Sequence, residues 1–244
     1  MDKSSTTDIP LKDQRDAWNV WNITIREQRI SEMAQRQADV IEGRIAALAK
    51  KPLKILEVGC GTGWLCERLM RFGNVTGTDL ADEALVRASR RLPAVRFVSG
   101  DFLRVELESA SFDVIVTLDT LSHFVDQNAF VGRIASLLSP SGMLILGTQN
   151  GPVLERWSAV PGPQPGQIRR WVNHRQLRQL LAPYFEHAEI RSMFPVGDQG
   201  MLRIWNSVKL NRLVGFAIPM DTLTRLKERA MLGHTLVSFA TVRK

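Results

Sequence analysis

The run Leu56-Glu57-Val58-Gly59-Cys60-Gly61-Thr62-Gly63-Trp64 puts three glycines at alternate positions directly after a short apolar segment. Glycine permits a tight turn and lets a ligand approach the main chain closely, so this segment reads as a binding turn between a strand and a helix. The dinucleotide fingerprint needs its third glycine one position later, where Trp64 stands, which disfavours a nicotinamide or flavin ligand. Asp79 comes twenty residues after Gly59, in Gly77-Thr78-Asp79-Leu80, where a second strand should end. A carboxylate there can accept from both hydroxyls of a ribose laid across the strand ends. Gly100-Asp101-Phe102 closes a third strand with another acid, placed to accept from an exocyclic amine. A ribose acceptor followed by an amine acceptor describes an adenosine site.

A base for proton removal is sought where a fourth strand ends, in Asp119-Thr120-Leu121-Ser122-His123-Phe124. An imidazole titrates near pH 6.5, which suits His123 to taking a proton at neutral pH; packing or a backbone bond is its alternative role. Asp119 is a candidate to orient His123 or a substrate amine, or to cap a helix, and His174 is a further candidate facing an acceptor or opening a helix. Trp18 and Trp21 share a helical face with Ile25, as core or as a lid over the ligand. Arg169, Arg170, Arg175 and Arg178 could grip a carboxylate or phosphate with forked hydrogen bonds, or line a solvated face. Cys60 and Cys66 have no His or Cys at metal-ligand spacing and read as small packing residues, so neither a metal site nor a disulfide is expected.

These residues must be held by regular elements. Apolar spacing predicts one or two helices after a Ser/Thr-rich tail ending near Pro10, then a strand over 53–58 and a helix over 62–72. The alternation continues with strand 74–78, helix 82–90 capped by Asp82 with Leu85 and Val86 inward, and strands 95–99 and 112–118. Helix 128–138 and strand 143–148 follow, with a turn at Pro140-Ser-Gly142. Alternating strands and helices imply a mainly parallel sheet covered on both faces. Pro152, Pro161, Gly162, Pro163, Pro165 and Gly166 mark a long connection, a candidate lid. Helix 173–181, strand 184–193, a largely helical insertion over 201–229 and strand 234–242 complete the chain, with Met193, Phe194, Met201, Trp205 and Leu210 as an apolar wall over the pocket.

The 244 residues suit one or two domains, and 44% hydrophobic with 23% charged residues is ordinary for a globular chain. The net charge of +7 permits anionic partners without selecting one. A polar N-terminus without an apolar run, and no stretch of about 18 apolar residues, predict a cytoplasmic protein without a membrane span.

The glycine turn, Asp79, Asp101 and Phe112-Asp113-Val114-Ile115-Val116-Thr117-Leu118 together resemble the class I S-adenosylmethionine-dependent methyltransferases over about residues 53–148. The resemblance implies a Rossmann-like α/β fold: seven mostly parallel strands, the last antiparallel, helices on both faces, an N-terminal helical cap and a helical insertion before the last strand. It divides one continuous domain into tail and cap helices (1–50), cofactor core (51–150), and lid, remaining strands and substrate cap (151–244). S-adenosylmethionine, with S-adenosylhomocysteine as product, would lie against Glu57, Gly59, Cys60, Gly61, Gly63 and Trp64 at its methionyl end. Asp79 and Leu80 would meet its ribose and Asp101 and Phe102 its adenine, while Thr117 and Leu118 would flank the methyl and Trp18 and Trp21 would cover it. The implied activity is in-line methyl transfer to an oxygen or nitrogen, less readily a carbon, of a small molecule, by a monomer or homodimer. The alternatives are a nucleic-acid methylase and a non-catalytic cofactor-binding partner. Leu118-Asp119-Thr120-Leu121 departs from the Asn/Asp-Pro-Pro-aromatic run of base-amino methylases, and no nucleic-acid partner is expected.

Overall fold

A computed structural model describes residues 9–48, 52–195, 199 and 220–243. Seven strands, β1 (Leu53–Val58), β2 (Gly73–Asp79), β3 (Arg96–Ser99), β4 (Phe112–Leu118), β5 (Leu138–Gln149), β6 (Phe185–Met193) and β7 (Thr235–Val242), form one sheet of order β3-β2-β1-β4-β5-β7-β6. The first five are parallel, and β7 runs antiparallel between β5 and β6. The chain steps outward from β1 to β2 and β3, then returns to lay β4 on the other side of β1. This reversal opens a crevice outside the carboxyl ends of β1 and β4, where ligands of such sheets bind.

Alternation along each strand feeds two cores. Leu56, Val58, Ile115, Leu144 and Leu146 point to one face, against α5 (Gln127–Leu137) and α7 (His174–Leu181). Leu53, Ile55, Val114, Val116 and Ile145 point to the other, against α2 (Glu32–Ala46), α3 (Trp64–Leu69) and α4 (Asp82–Arg91). Central strands buried on both faces explain why their sequences read as continuous apolar runs.

The Rossmann-like sheet with an antiparallel seventh strand is as anticipated, and local boundaries differ where tertiary contacts outweigh pattern. The helix expected over 62–72 is α helical only over Trp64–Leu69 and tightens into a 3-10 turn at Met70–Phe72. Asp82 does not cap α4: Ala81 holds that position, and the Asp82 carboxylate instead accepts from Asn19 and from the Glu83 N–H. Leu85 is buried, but Val86 is 52% exposed, so only one of the two faces inward. β5 runs back through Pro140-Ser-Gly142, where a turn was expected, with a register shift opposite Phe112–Val114. Pro152 opens α6 (Gly151–Trp157) rather than a loop, since the first helical turn needs no proline N–H. Met193 and Phe194 are packed away from the pocket, and Met201, Trp205 and Leu210 lie outside the described residues. Of the helical insertion, α8 (Met220–Arg229) is described. No helix among the described residues is long and apolar enough to cross a membrane.

The N-terminus contributes α1 (Leu11–Trp21), which passes without a break into a π-helical turn at Asn22–Arg26. That wider turn rotates the chain off the face carrying Trp18 and Trp21. Ile25, expected to share that face, is 54% exposed, and Arg26 is directed inward. Asn19–Asp82 at 2.8 Å and Glu27–Arg87 at 2.8 Å tie this segment to α4.

The middle of β2 backs directly on the glycine turn. A Cβ at Gly77 would meet Cys60 Sγ at 2.8 Å, Cys66 Sγ at 3.0 Å and Phe97 at 3.0 Å. Gly77→Ala should therefore lower stability by about 1–3 kcal/mol through overpacking, read as a lower denaturant midpoint at unchanged slope.

Candidate functional site

A cavity of about 650 Å³ opens at the carboxyl ends of β1 to β5. Its floor is the turn after β1, where Gly59, Gly61 and Gly63 all have positive φ (76°, 49° and 72°). The N–H groups of Gly59 and Cys60 donate to the Thr78 carbonyl, and the Gly61 N–H donates to Asp79 Oδ2 at 2.7 Å. The other Asp79 oxygen accepts from Ala81 at 2.8 Å. Side chains close over the floor: a Cβ at Gly59 would collide with Thr120, and one at Gly61 with Asn22 Oδ1.

Most of the residues singled out in the sequence meet here. Glu57, Gly59, Cys60, Gly61, Trp64, Asp79, Leu80, Asp101, Phe102, Leu118, Asp119, His123, Trp18 and Trp21 all line the cavity. Gly63 and Thr117 do not: Gly63 is the left-handed cap of α3, and Thr117 is fully buried in β4. His174 is also outside the lining, as the first residue of α7 behind the Asn173 cap. Of the four arginines, only Arg169 lines the cavity.

Burial controls the electrostatics. Glu57 is 3% exposed, and burial pushes its carboxyl up to about 8, with Asp79 adding to the rise and bonding to Cys66 and the charge of Arg26 opposing it. Burial likewise lifts Asp119 to about 6 against the pull of Arg26, and raises Asp79 against the N–H groups of Ala81, Gly61 and Leu80. Arg26 is missed by pattern reasoning because it lies on the wrong helical stripe until the π turn brings it round. Its guanidinium sits over Trp21 at 5.0 Å and Trp64 at 5.8 Å, and it feels both Asp119 and Glu57. Asn22, Gln37, Gln149, Ile168 and Trp171 are further lining residues that no motif marks.

His123 is held by its surroundings, not by the Asp119 side chain. Nδ1 lies 2.7 Å from the Ile168 carbonyl, so it carries the proton and the neutral ring keeps its lone pair on Nε2. Trp18 meets the ring edge-on at 4.5 Å. Burial lowers the imidazole below its usual value; Arg169 lowers it further, and the carbonyls of Ile168 and Asp119 oppose the shift. Of the segment expected as a lid, 151–168, the first part is α6, and the connection that follows it contributes Val160, Gln167, Ile168, Arg169 and Trp171 to the cavity lining. Its backbone bonds Ser122 through Arg170, and Gly166 packs on Asp13 and Ala17 of α1.

Three buried carbonyl or carboxyl oxygens of the lining have no hydrogen-bond partner, Glu57 Oε2, Asn22 Oδ1 and Gln149 Oε1, and the Thr78 hydroxyl is a fourth lining group without one. Unpaired buried acceptors are costly, and their convergence on one cavity suits a ligand group rich in donors. No group of His, Cys, Asp and Glu able to hold a metal ion occurs among the described residues.

Residues 56–146 match the methyltransferase domain family. Among curated proteins, the ubiquinone biosynthesis O-methyltransferase of Bartonella tribocorum is 33% identical over 125 residues, 49% of this chain and 50% of that protein. The same-named protein of Chelativorans sp. is 30% identical over 146 residues, 55% and 56% of the two chains. The chain thus spans about half the length of the curated relatives it matches. Among solved structures, phosphoethanolamine N-methyltransferase 2 of Haemonchus contortus superposes with a TM-score of 0.67 at 20% identity, covering 97% of this chain and 60% of that one. The N-methyltransferase NodS of Bradyrhizobium japonicum gives 0.65 at 14%, covering 95% and 100%. Residues 56–146 are thus similar to the methyltransferase domain family, and the fold is shared with these methyltransferase structures.

A carboxyl raised in the folded state is neutral where the unfolded chain has already ionised, so it costs stability as pH rises from about 4.5 toward 8. Glu57→Gln should remove that cost. Melting curves of the ligand-free proteins from pH 5 to 8.5 should show the variant gaining on the wild type as pH rises, and a constant offset would contradict the assignment.

Proposed function

We propose that the protein binds S-adenosylmethionine and transfers its methyl group to an oxygen or nitrogen of a small molecule. The observation that carries this reading is the set of unpaired buried acceptors that line one cavity with the glycine turn, with the Arg26 guanidinium near Glu57. An α-amino acid end carries one ammonium, with three N–H donors, and one carboxylate. Glu57, Asn22 and Gln149 would take the first and Arg26 the second. Asp79 keeps lone pairs for ribose hydroxyls while holding Gly61 and Ala81, and Asp101 and Phe102 line the cavity where the adenine would rest. A cavity of about 650 Å³ walled by Trp18, Trp21, Trp171 and Phe124 supports a small acceptor.

When bound, the cofactor supplies a methyl already activated by the positive sulfonium. The chain's own contribution is to exclude water, align the acceptor and take its proton. For an oxygen acceptor, His123 Nε2 would take the hydroxyl proton, while a cofactor held by Glu57, Asn22, Gln149 and Arg26 would supply the methyl group. The Ile168 carbonyl holds the Nδ1–H tautomer that this transfer needs. The lowered pKa keeps His123 neutral at pH 7.

Thermal unfolding with S-adenosylmethionine, S-adenosylhomocysteine and NAD, each at about 100 times a dissociation constant, tests the cofactor. Binding at that level contributes about 2.7 kcal/mol, a rise of roughly 5–10 °C for a chain of this size. A rise with both sulfur ligands and none with NAD is expected, and no rise with either would overturn the reading. Asp79→Ala should weaken cofactor binding by about 1.5–3 kcal/mol. His123→Asn should lower kcat for an oxygen acceptor by roughly 10²–10⁴-fold and remove an acid limb that lies below pH 6.5. Full kcat with an unaltered pH profile would exclude His123 as the base.

A further inference from the structure

Arg169 is the one of the four sequence-marked arginines that reaches the cavity, and the proposed cofactor site does not use it. Its surroundings differ from those of Arg26, which faces Asp119 and Glu57. The Arg169 side chain donates to the Pro161 carbonyl and stacks on Trp171 with 4.9 Å to the ring centroid. Among the described residues no carboxylate pairs with it, and burial alone lowers its affinity for a proton. A guanidinium has five N–H donors, and one contact with a carbonyl leaves a fork free for an anion.

The chain then ties this cation to the base. Ile168, whose carbonyl fixes His123, is the residue immediately before Arg169, so one stretch of backbone sets both positions. The positive charge of Arg169 is felt at the imidazole. Trp18 lies edge-on to His123 and the Arg169 guanidinium lies over Trp171, while Phe124, Leu154 and Val160 also line the cavity. An acceptor entering here meets aromatic walls that carry a proton acceptor and a cation.

Resting on the methyl-transfer reading above, we propose that the acceptor is a planar hydroxylated acid: its carboxylate pairs with the Arg169 guanidinium while its hydroxyl is presented to His123 Nε2. The same contact makes Arg169 a specificity residue. It discriminates against neutral analogues, because a guanidinium set against an uncharged group forgoes the charge-assisted bonds.

The test uses the full chain saturated with S-adenosylhomocysteine, so no turnover is needed, and reads tryptophan fluorescence. The probes are 2-, 3- and 4-hydroxybenzoate and 3,4-dihydroxybenzoate, each paired with its primary amide. At least one acid should bind tenfold or more tightly than its amide, with the preference weakening as salt is added. Arg169→Gln should erase that preference, Arg169→Lys should keep part of it, and Arg175→Gln, on the exposed face of α7, should keep all of it. Equal binding of every acid and its amide, or a preference that survives in both Arg169 variants, would overturn the inference. S-adenosylhomocysteine still raising the melting temperature in that case would leave the cofactor reading intact; no rise at all would remove both.

Discussion

The left-handed turn after β1 is the constraint on which the rest of the site depends. Three glycines with positive φ bring β1 to an abrupt end and turn its backbone N–H groups toward β2 and the cavity. The bond from the Gly61 N–H to Asp79 Oδ2 then locks the end of β1 to the end of β2. A side chain at Gly59 or Gly61 would strain the backbone and also collide with Thr120 or Asn22. The space those side chains would fill is the space through which the floor of the cavity meets its cover.

That cover is built from segments distant in sequence. α1 and its π turn supply Trp18, Trp21, Asn22 and Arg26, and the connection over 158–173 supplies Ile168, Arg169 and Trp171. The two meet where Gly166 packs on Asp13 and Ala17. The π turn is a local irregularity with a clear result, since one extra residue in the turn sends Ile25 outward and Arg26 inward. Such insertions in helices are frequent at functional sites.

Charge in the cavity is sorted by burial. Glu57 and Asp119 are pushed up and His123 is pushed down, so the site without ligand holds less net charge than its residue list implies. A ligand carrying both an ammonium and a carboxylate reverses part of that cost by pairing with groups the fold leaves unpaired.

Local pattern determined the parallel core, the glycine turn, and the acids Asp79 and Asp101 at successive strand ends, because strand period and turn chemistry are properties of neighbouring residues. The same local signals marked His123 and Arg169 as groups able to act. They could not rank Arg169 above Arg170, Arg175 and Arg178, since only packing decides which side chains enter the cavity. Arg26, Asn22 and Gln149 left no trace, because each acquires meaning through burial beside Glu57 and the turn. Asp119 reads from sequence as orienting His123 or a substrate amine, or as a helix cap; the imidazole Nδ1 meets the Ile168 carbonyl, a partner 45 residues away that folding alone brings within 2.7 Å. Sequence thus determined the frame that local geometry enforces, and the tertiary structure decided which polar groups lose water together, and so which of them can do chemistry.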